Sequence, residues 1–175
     1  MDESSPRITL YSPARKAVHW IVLLLCIAQF PTGWAIANSH LGHVSLTQSA
    51  WSVFVHRSHA LAGAAVVLVV AAGLVLRVLQ GPVLPTKEQA PAWTRYAATV
   101  THASICVLLL ALSATGFVAM YLSRSAAPIH VVLTYLGMAL VGLHAGAALW
   151  HQFVFGDGTI TRMLPRLGSS TRADD

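Results

Sequence analysis

Four long stretches of this sequence carry almost no charge, and that restricts the chain to very few folds. They cover about 18–37, 53–79, 98–121 and 129–153. Each is close to the roughly 20 residues that an α-helix needs to cross the hydrocarbon core of a bilayer. No Asp, Glu, Lys or Arg occurs at 58–76, 96–123 or 125–156. Without water to bond, the backbone of such a segment must satisfy its own N–H and C=O groups, which a helix does. Composition closes the soluble alternative: 55% of the 175 residues are apolar and 10% charged, against about 25% charged in soluble domains. A chain of this length has too little interior to hide that much apolar surface. The expected fold is an all-α integral membrane four-helix bundle. The first run does not read as a cleavable signal, because it is long and no small-residue cleavage site follows it.

Charge placement orients the bundle. Of 11 Lys and Arg residues, nine fall on one side of a four-span arrangement: Arg7, Arg15, Lys16, Arg77, Lys87, Arg95, Arg162, Arg166 and Arg172. Only Arg57 and Arg124 fall on the other. The positive-inside rule then puts both termini in the cytoplasm. The basic pI of about 9.8 thus reflects topology, and no nucleic-acid-binding motif accompanies it. The expected organisation is a membrane domain over 1–155 and a cytoplasmic tail over 156–175, its last residues frayed. The connection from Gln80 to Trp93 contains three prolines and reads as an ordered interfacial loop. The outer connections, about 38–52 and 122–128, are polar and short respectively. Cys26 and Cys106 read as small apolar fillers within spans. With no Cys-x-x-Cys-His, covalent haem attachment is excluded.

The nine histidines carry the chemistry, since ionisable groups inside spans are costly unless they have a task. His130 and His144 lie 14 residues apart in the fourth span. That spacing turns a helix by about 1400°, within about 40° of four full turns, and advances it about 21 Å. Both rings therefore face one way, one near each membrane face. Antiparallel topology sets His59, early in the second span, level with His130. It sets His19, early in the first span, level with His144. A single histidine of this kind would read as an interhelical hydrogen-bonding group. Four meeting at two depths read as two bis-imidazole metal sites, an arrangement with no open coordination position that suits electron transfer.

The remaining histidines admit more than one reading. His102, at the inner end of the third span, is either a quinone-site residue, a group beside a ligand, or a snorkelling interfacial side chain. His151 lies seven residues beyond His144 on nearly the same face, and with Trp150 forms either a quinone-side proton carrier or an interfacial anchor. His56 rivals His59. His40 and His43 fall in the first outer loop as solvated residues. Gly63 follows His59 by one turn, and Gly142 and Gly146 flank His144, leaving room for a macrocycle edge or for close helix packing. Arg15 and Arg57 are candidates to pair with haem propionates or an anion.

Taken together, these residues resemble the bacterial cytochrome b561 family, four-span di-haem b cytochromes of the inner membrane that include superoxide:ubiquinone oxidoreductases. The resemblance runs from about Tyr11 to Pro165. It rests on His19-Trp20, His59 with Gly63 and Arg77, His102 with Gly116, His130, Gly142-Leu-His144-Ala, and the string from Asp157 to Pro165, which hydropathy alone would not produce. It implies two haem b groups ligated by His19, His59, His130 and His144, favours His59 over His56, and implies ubiquinone as electron acceptor. Two functions follow from it. In one, the protein oxidises superoxide and reduces ubiquinone. In the other, it is an electron-transfer cytochrome b subunit relaying electrons from a partner dehydrogenase to quinone.

Overall fold

In the computed structural model, residues 11–41, 50–81, 92–156 and 158–164 are described, and four long helices account for most of them. Helix α1 is Pro13–Leu41, α2 Ala50–Gln80, α3 Ala92–Phe117 and α4 Ala127–Trp150, with a short α5 at Thr159–Met163. All four long helices, with their extensions, are long and apolar enough to cross a membrane: Pro13–Asn38, Trp51–Gln80, Tyr96–Leu122 and Arg124–Phe155. Among the described residues there is no strand. The helices run several residues past the uncharged stretches, because backbone hydrogen bonding continues into the interface where polar side chains are tolerated.

Neighbours in sequence are neighbours in space: α1 packs on α2, α2 on α3, and α3 on α4. Val55, Val66 and Val70 on α2 form the buried apolar core. Elsewhere, large apolar side chains point outward, among them Leu68 at 72% exposed, Val78 at 81% and Phe153 at 78%. An exposed apolar surface of that extent is unsustainable in water and is what lipid requires. Helix-forming residues fill the spans, and the one internal break, Pro31, is carried within α1 without ending it. Next to it, the Thr32 hydroxyl donates to the Ala28 and Gln29 carbonyls at 3.0 and 3.1 Å, the kind of side-chain bond that makes proline tolerable in a span.

The turn between α3 and α4 is tighter than the loop expected over 122–128. A π-helical turn, Val118–Leu122, extends α3. Ser123 alone is extended, at φ −156° and ψ 122°, and its side chain accepts from the Ser125 N–H. A 3₁₀ turn at Arg124–Ala126 then leads directly into α4, where Pro128 sits in the first turn. Proline is well placed there, since its missing N–H would have had no helical partner.

The opposite end is held by polar bonds that hydropathy does not reveal. Arg15 Nη2 donates to the carbonyls of Leu76 at 3.1 Å, Arg77 at 3.5 Å and Gly81 at 2.6 Å. It thereby binds carbonyls in the last turns of α2 and just beyond its end. Gly81 takes a left-handed conformation, φ 69°, the usual helix stop. After α4, a second π turn, His151–Phe155, ends at left-handed Gly156. Another left-handed glycine, Gly158 at φ 70°, turns the chain back so that α5 reaches α1. There Trp20 Nε1 donates to the Met163 carbonyl at 2.9 Å and Lys16 Nζ to the Leu164 carbonyl at 3.0 Å. On α4's extension, Gln152 Oε1 accepts from the Ile160 N–H at 3.0 Å. Through residue 164, then, the tail is docked against the bundle. Residues 169–175, the triple-proline connection and His43 lie outside the described residues, as does the side chain of His40.

These contacts rank in strength. Arg15→Ala leaves several carbonyls unpaired and is expected to cost about 1–3 kcal/mol of stability, whereas Trp20→Phe removes one neutral bond, costing about 1 kcal/mol. Thermal unfolding of both variants in the same detergent checks the order.

Candidate functional site

Four helices in up-and-down order bring their residues together at two depths. At the first, Thr32 and Gly33 of α1, His59 of α2, Thr115 and Gly116 of α3, and His130 of α4 meet. At the second, Val18 and His19 of α1, Gly73 of α2, His102 of α3 and His144 of α4 meet. Positions late in α1 and α3 share a level with positions early in α2 and α4, as antiparallel neighbours must.

The two histidine pairs have the same separation. His59 and His130 have ring centroids 6.2 Å apart and nearly perpendicular planes, at 82°. His19 and His144 are also 6.2 Å apart, at 65°. Two imidazoles on opposite sides of one metal, with bonds of about 2.0 Å and ring centres about 1.2 Å behind the ligating nitrogens, have centroids about 6.4 Å apart. Both pairs match that distance. His102 does not: its ring lies 4.7 Å from that of His144, too close for a metal to sit between them. His102 instead bonds its own helix, through Nδ1 to the Ala98 carbonyl at 2.7 Å, and is exposed on its other side.

At the first level the unused nitrogens are assigned by their partners. His130 Nδ1 donates to the Leu112 carbonyl at 3.0 Å, so Nε2 is the nitrogen left bare. Thr115 Oγ1 approaches the same Nδ1 at 3.2 Å. On the other histidine, Nδ1 of His59 is bonded to Thr32 Oγ1 at 2.9 Å. A metal-ligating histidine characteristically carries such a bond on its second nitrogen, which fixes tautomer and ring orientation. His56 is not in this pairing; its Nδ1 is engaged with the Ser52 carbonyl of its own helix at 2.8 Å.

Glycine has specific work at this level. A Cβ on Gly116 would lie 3.0 Å from His130 Cε1, and one on Gly33 would lie 3.3 Å from His59 Cε1. At Gly63, of the two readings its position allowed, close helix packing is the one that applies. A Cβ there would stand 3.1 Å from Gln29 Nε2, whose amide donates to the His59 carbonyl at 3.1 Å. The Gly63 carbonyl also accepts from Ser113 Oγ at 3.2 Å. Around His144, a Cβ on Gly142 or Gly146 would meet nothing within 4 Å, so close helix packing is not what those glycines provide.

The other sequence candidates are placed as follows. Arg15 points along α1 to the end of α2, with Nη2 committed to carbonyls there. Arg57 is exposed, two residues before His59. Trp150 is 59% exposed at the end of α4, and His151 begins the π turn with its ring 5.1 Å from that of Phe155. Thr32, Thr115, Gly33 and Gln29 were missed by sequence reasoning. The available signal was the dipeptide Thr-Gly, which occurs late in each of the first and third spans.

The family model described as "Prokaryotic cytochrome b561" matches residues 10–166. The "Probable superoxide oxidase CybB" of Yersinia pestis is 26% identical over 178 aligned residues, which cover 89% of this chain and 96% of that protein. "Cytochrome b561 homolog 1" of Escherichia coli K12 is 31% identical over 98 residues, 43% of this chain and 56% of that protein.

Because Gly116 has no room for a side chain beside His130, Gly116→Val is expected to displace that ring. A metal group bound at the His59–His130 level would then be lost while one at the His19–His144 level is kept. The checking measurement is bound iron per purified chain, expected to fall by about half.

Proposed function

The chain belongs to the prokaryotic cytochrome b561 family, and from that premise we propose that it is a di-haem electron carrier that reduces the quinone pool with electrons taken from superoxide. Membership makes it a multi-pass membrane cytochrome of electron transport that binds haem b. The observation that carries the fuller reading is the repeated 6.2 Å histidine separation at two depths. In this reading His59 with His130 hold one haem b, and His19 with His144 hold the second. Haem held by these residues would supply one-electron chemistry.

The side chains divide the remaining tasks. Lipid-facing leucines, valines and phenylalanines keep water from the path. The α4 backbone between His130 and His144 sets the two sites about 21 Å apart along its axis, most of the hydrocarbon thickness. Both termini face the cytoplasm, supported by the nine-to-two distribution of basic residues, which puts the His59–His130 level outward. Arg57 and Arg124 supply the positive charge that attracts an anion to that face. Two superoxide ions give up one electron each and leave as dioxygen, and one ubiquinone takes both electrons with two protons to become ubiquinol. At the inner level, His102, Trp150 and His151 are the quinone-side candidates, with the two imidazoles suited to hold and pass protons.

One observation favours a second reading. The outward face has only two basic residues, Arg57 and Arg124, a modest attraction for a small anion. An electron-transfer cytochrome b subunit fed by a partner dehydrogenase needs no such funnel.

Two measurements test this function. In His144→Ala, reduced-minus-oxidised spectra and haem extraction are expected to show loss of one of two haems with the other retained; loss of neither overturns the pairing. In liposomes containing ubiquinone, a superoxide source is expected to reduce the haem faster than in a sample treated with dismutase. Equal rates in the two samples overturn the superoxide reading and leave the relay subunit.

A further inference from the structure

The residues around His59 and His130 repeat. In the first helical hairpin, Thr32 Oγ1 of α1 is 2.9 Å from His59 Nδ1 of α2, and Gly33 lies against the same ring. In the second hairpin, Thr115 Oγ1 of α3 is 3.2 Å from His130 Nδ1 of α4, and Gly116 lies against that ring. Helices α1 and α3 thus each present a Thr-Gly pair to the histidine of the helix that follows. Among the described residues, no threonine hydroxyl is bonded to His19 or His144.

The direction of the threonine bond follows from counting protons. A hydroxyl has one proton to give and two lone pairs. Thr32 spends its proton on the Ala28 or Gln29 carbonyl, at 3.0 and 3.1 Å. Thr115 spends its own on Ala111 or Leu112, at 2.8 and 3.1 Å. Toward the imidazole, each hydroxyl can then only accept. Nδ1 must carry the hydrogen, and Nε2 keeps the lone pair that a metal requires. The glycine that follows allows this approach, because a side chain there would crowd the ring at 3.0–3.3 Å.

An oxygen accepting from Nδ1–H also shifts electron density onto the ring, makes Nε2 a stronger donor and favours the oxidised metal. We propose that Thr32-Gly33 and Thr115-Gly116 are a matched pair of positioning elements. They hold His59 and His130 with Nε2 bare, and their hydroxyls lower the reduction potential of the haem at that level alone. The proposal rests on the haem ligation set out under Proposed function. Neither threonine acts alone: His130 also donates to the Leu112 carbonyl at 3.0 Å, and the backbone of Gln29 is a second hydrogen-bond partner of the His59 ring.

The test uses the purified full-length haem-loaded protein and its Thr32→Val, Thr115→Val, Thr32→Ser and Thr115→Ser variants. Each is titrated potentiometrically while the visible spectrum is followed, and the ferric low-spin signals are recorded by electron paramagnetic resonance. Thr32→Val is expected to raise the midpoint of one haem and leave the other where it was. Thr115→Val is expected to raise the same haem, and both serine variants to keep the wild-type values. If Thr32→Val does not retain its haem, Thr115→Val carries the test, since the Leu112 carbonyl still orients His130. Valine variants that move different haems, or neither, overturn the proposal, as do serine variants that behave like valine. Wild-type protein lacking haem would instead defeat the ligation on which the proposal stands, so the two failures are distinguishable by haem content.

Discussion

Within hydrocarbon a backbone amide has no solvent to fall back on, and each unpaired group costs several kcal/mol. That constraint explains the long helices and also the places where helical bonding lapses. At Pro31, the Thr32 hydroxyl bonds two carbonyls of the preceding turn. At the end of α2, Arg15 crosses from α1 to take the terminal carbonyls. At Ser123, a side-chain cap closes the turn into the last span. The polar residues of this sparsely charged chain are concentrated where the backbone would otherwise be left unsatisfied.

Histidine is the exception that gives the bundle its purpose. Four rings from three helices converge at two levels, and each pair keeps the distance that one metal with two axial imidazoles requires. The arrangement needs antiparallel order, since His19 and His59 lie early in consecutive helices and must end at opposite faces. It also needs α4 to be straight enough that residues 14 apart stay on one side. Around the His59–His130 level the supporting bonds are threonine hydroxyls and carbonyls with glycines beside the rings. Around the His19–His144 level the neighbour is a third imidazole, His102. Two histidine pairs of the same separation thus sit in different surroundings, and in the proposed di-haem reading that difference would give the two haems distinct properties.

Much of this was legible without coordinates. Apolar runs of spanning length marked the four helices, and the 14-residue interval on the fourth marked two depths. The tail was harder to read. The segment expected as a tail over 156–175 carries no sequence sign that part of it packs on the bundle. Yet its left-handed Gly158 and the carbonyls of Met163 and Leu164 return it to Trp20 and Lys16 on α1. Those are backbone acceptors, and a carbonyl leaves no trace in residue type. Gly63 allowed two readings, room for a macrocycle edge or close helix packing, and sequence spacing could not choose; the neighbour there is Gln29 of the adjacent helix, which is close packing.

What the sequence determined by itself was the number of spans, their order and the faces on which the histidines lie, because helix period and bilayer thickness are fixed lengths that residue spacing can be measured against. Only the tertiary structure decided which rings face each other at 6.2 Å and which at 4.7 Å, and which hydroxyl meets His59 and which His130. Those outcomes turn on the rotation of one helix against another, where 1.5 Å separates a pair spaced for a metal from two rings in contact, and no periodicity within a single helix records that rotation.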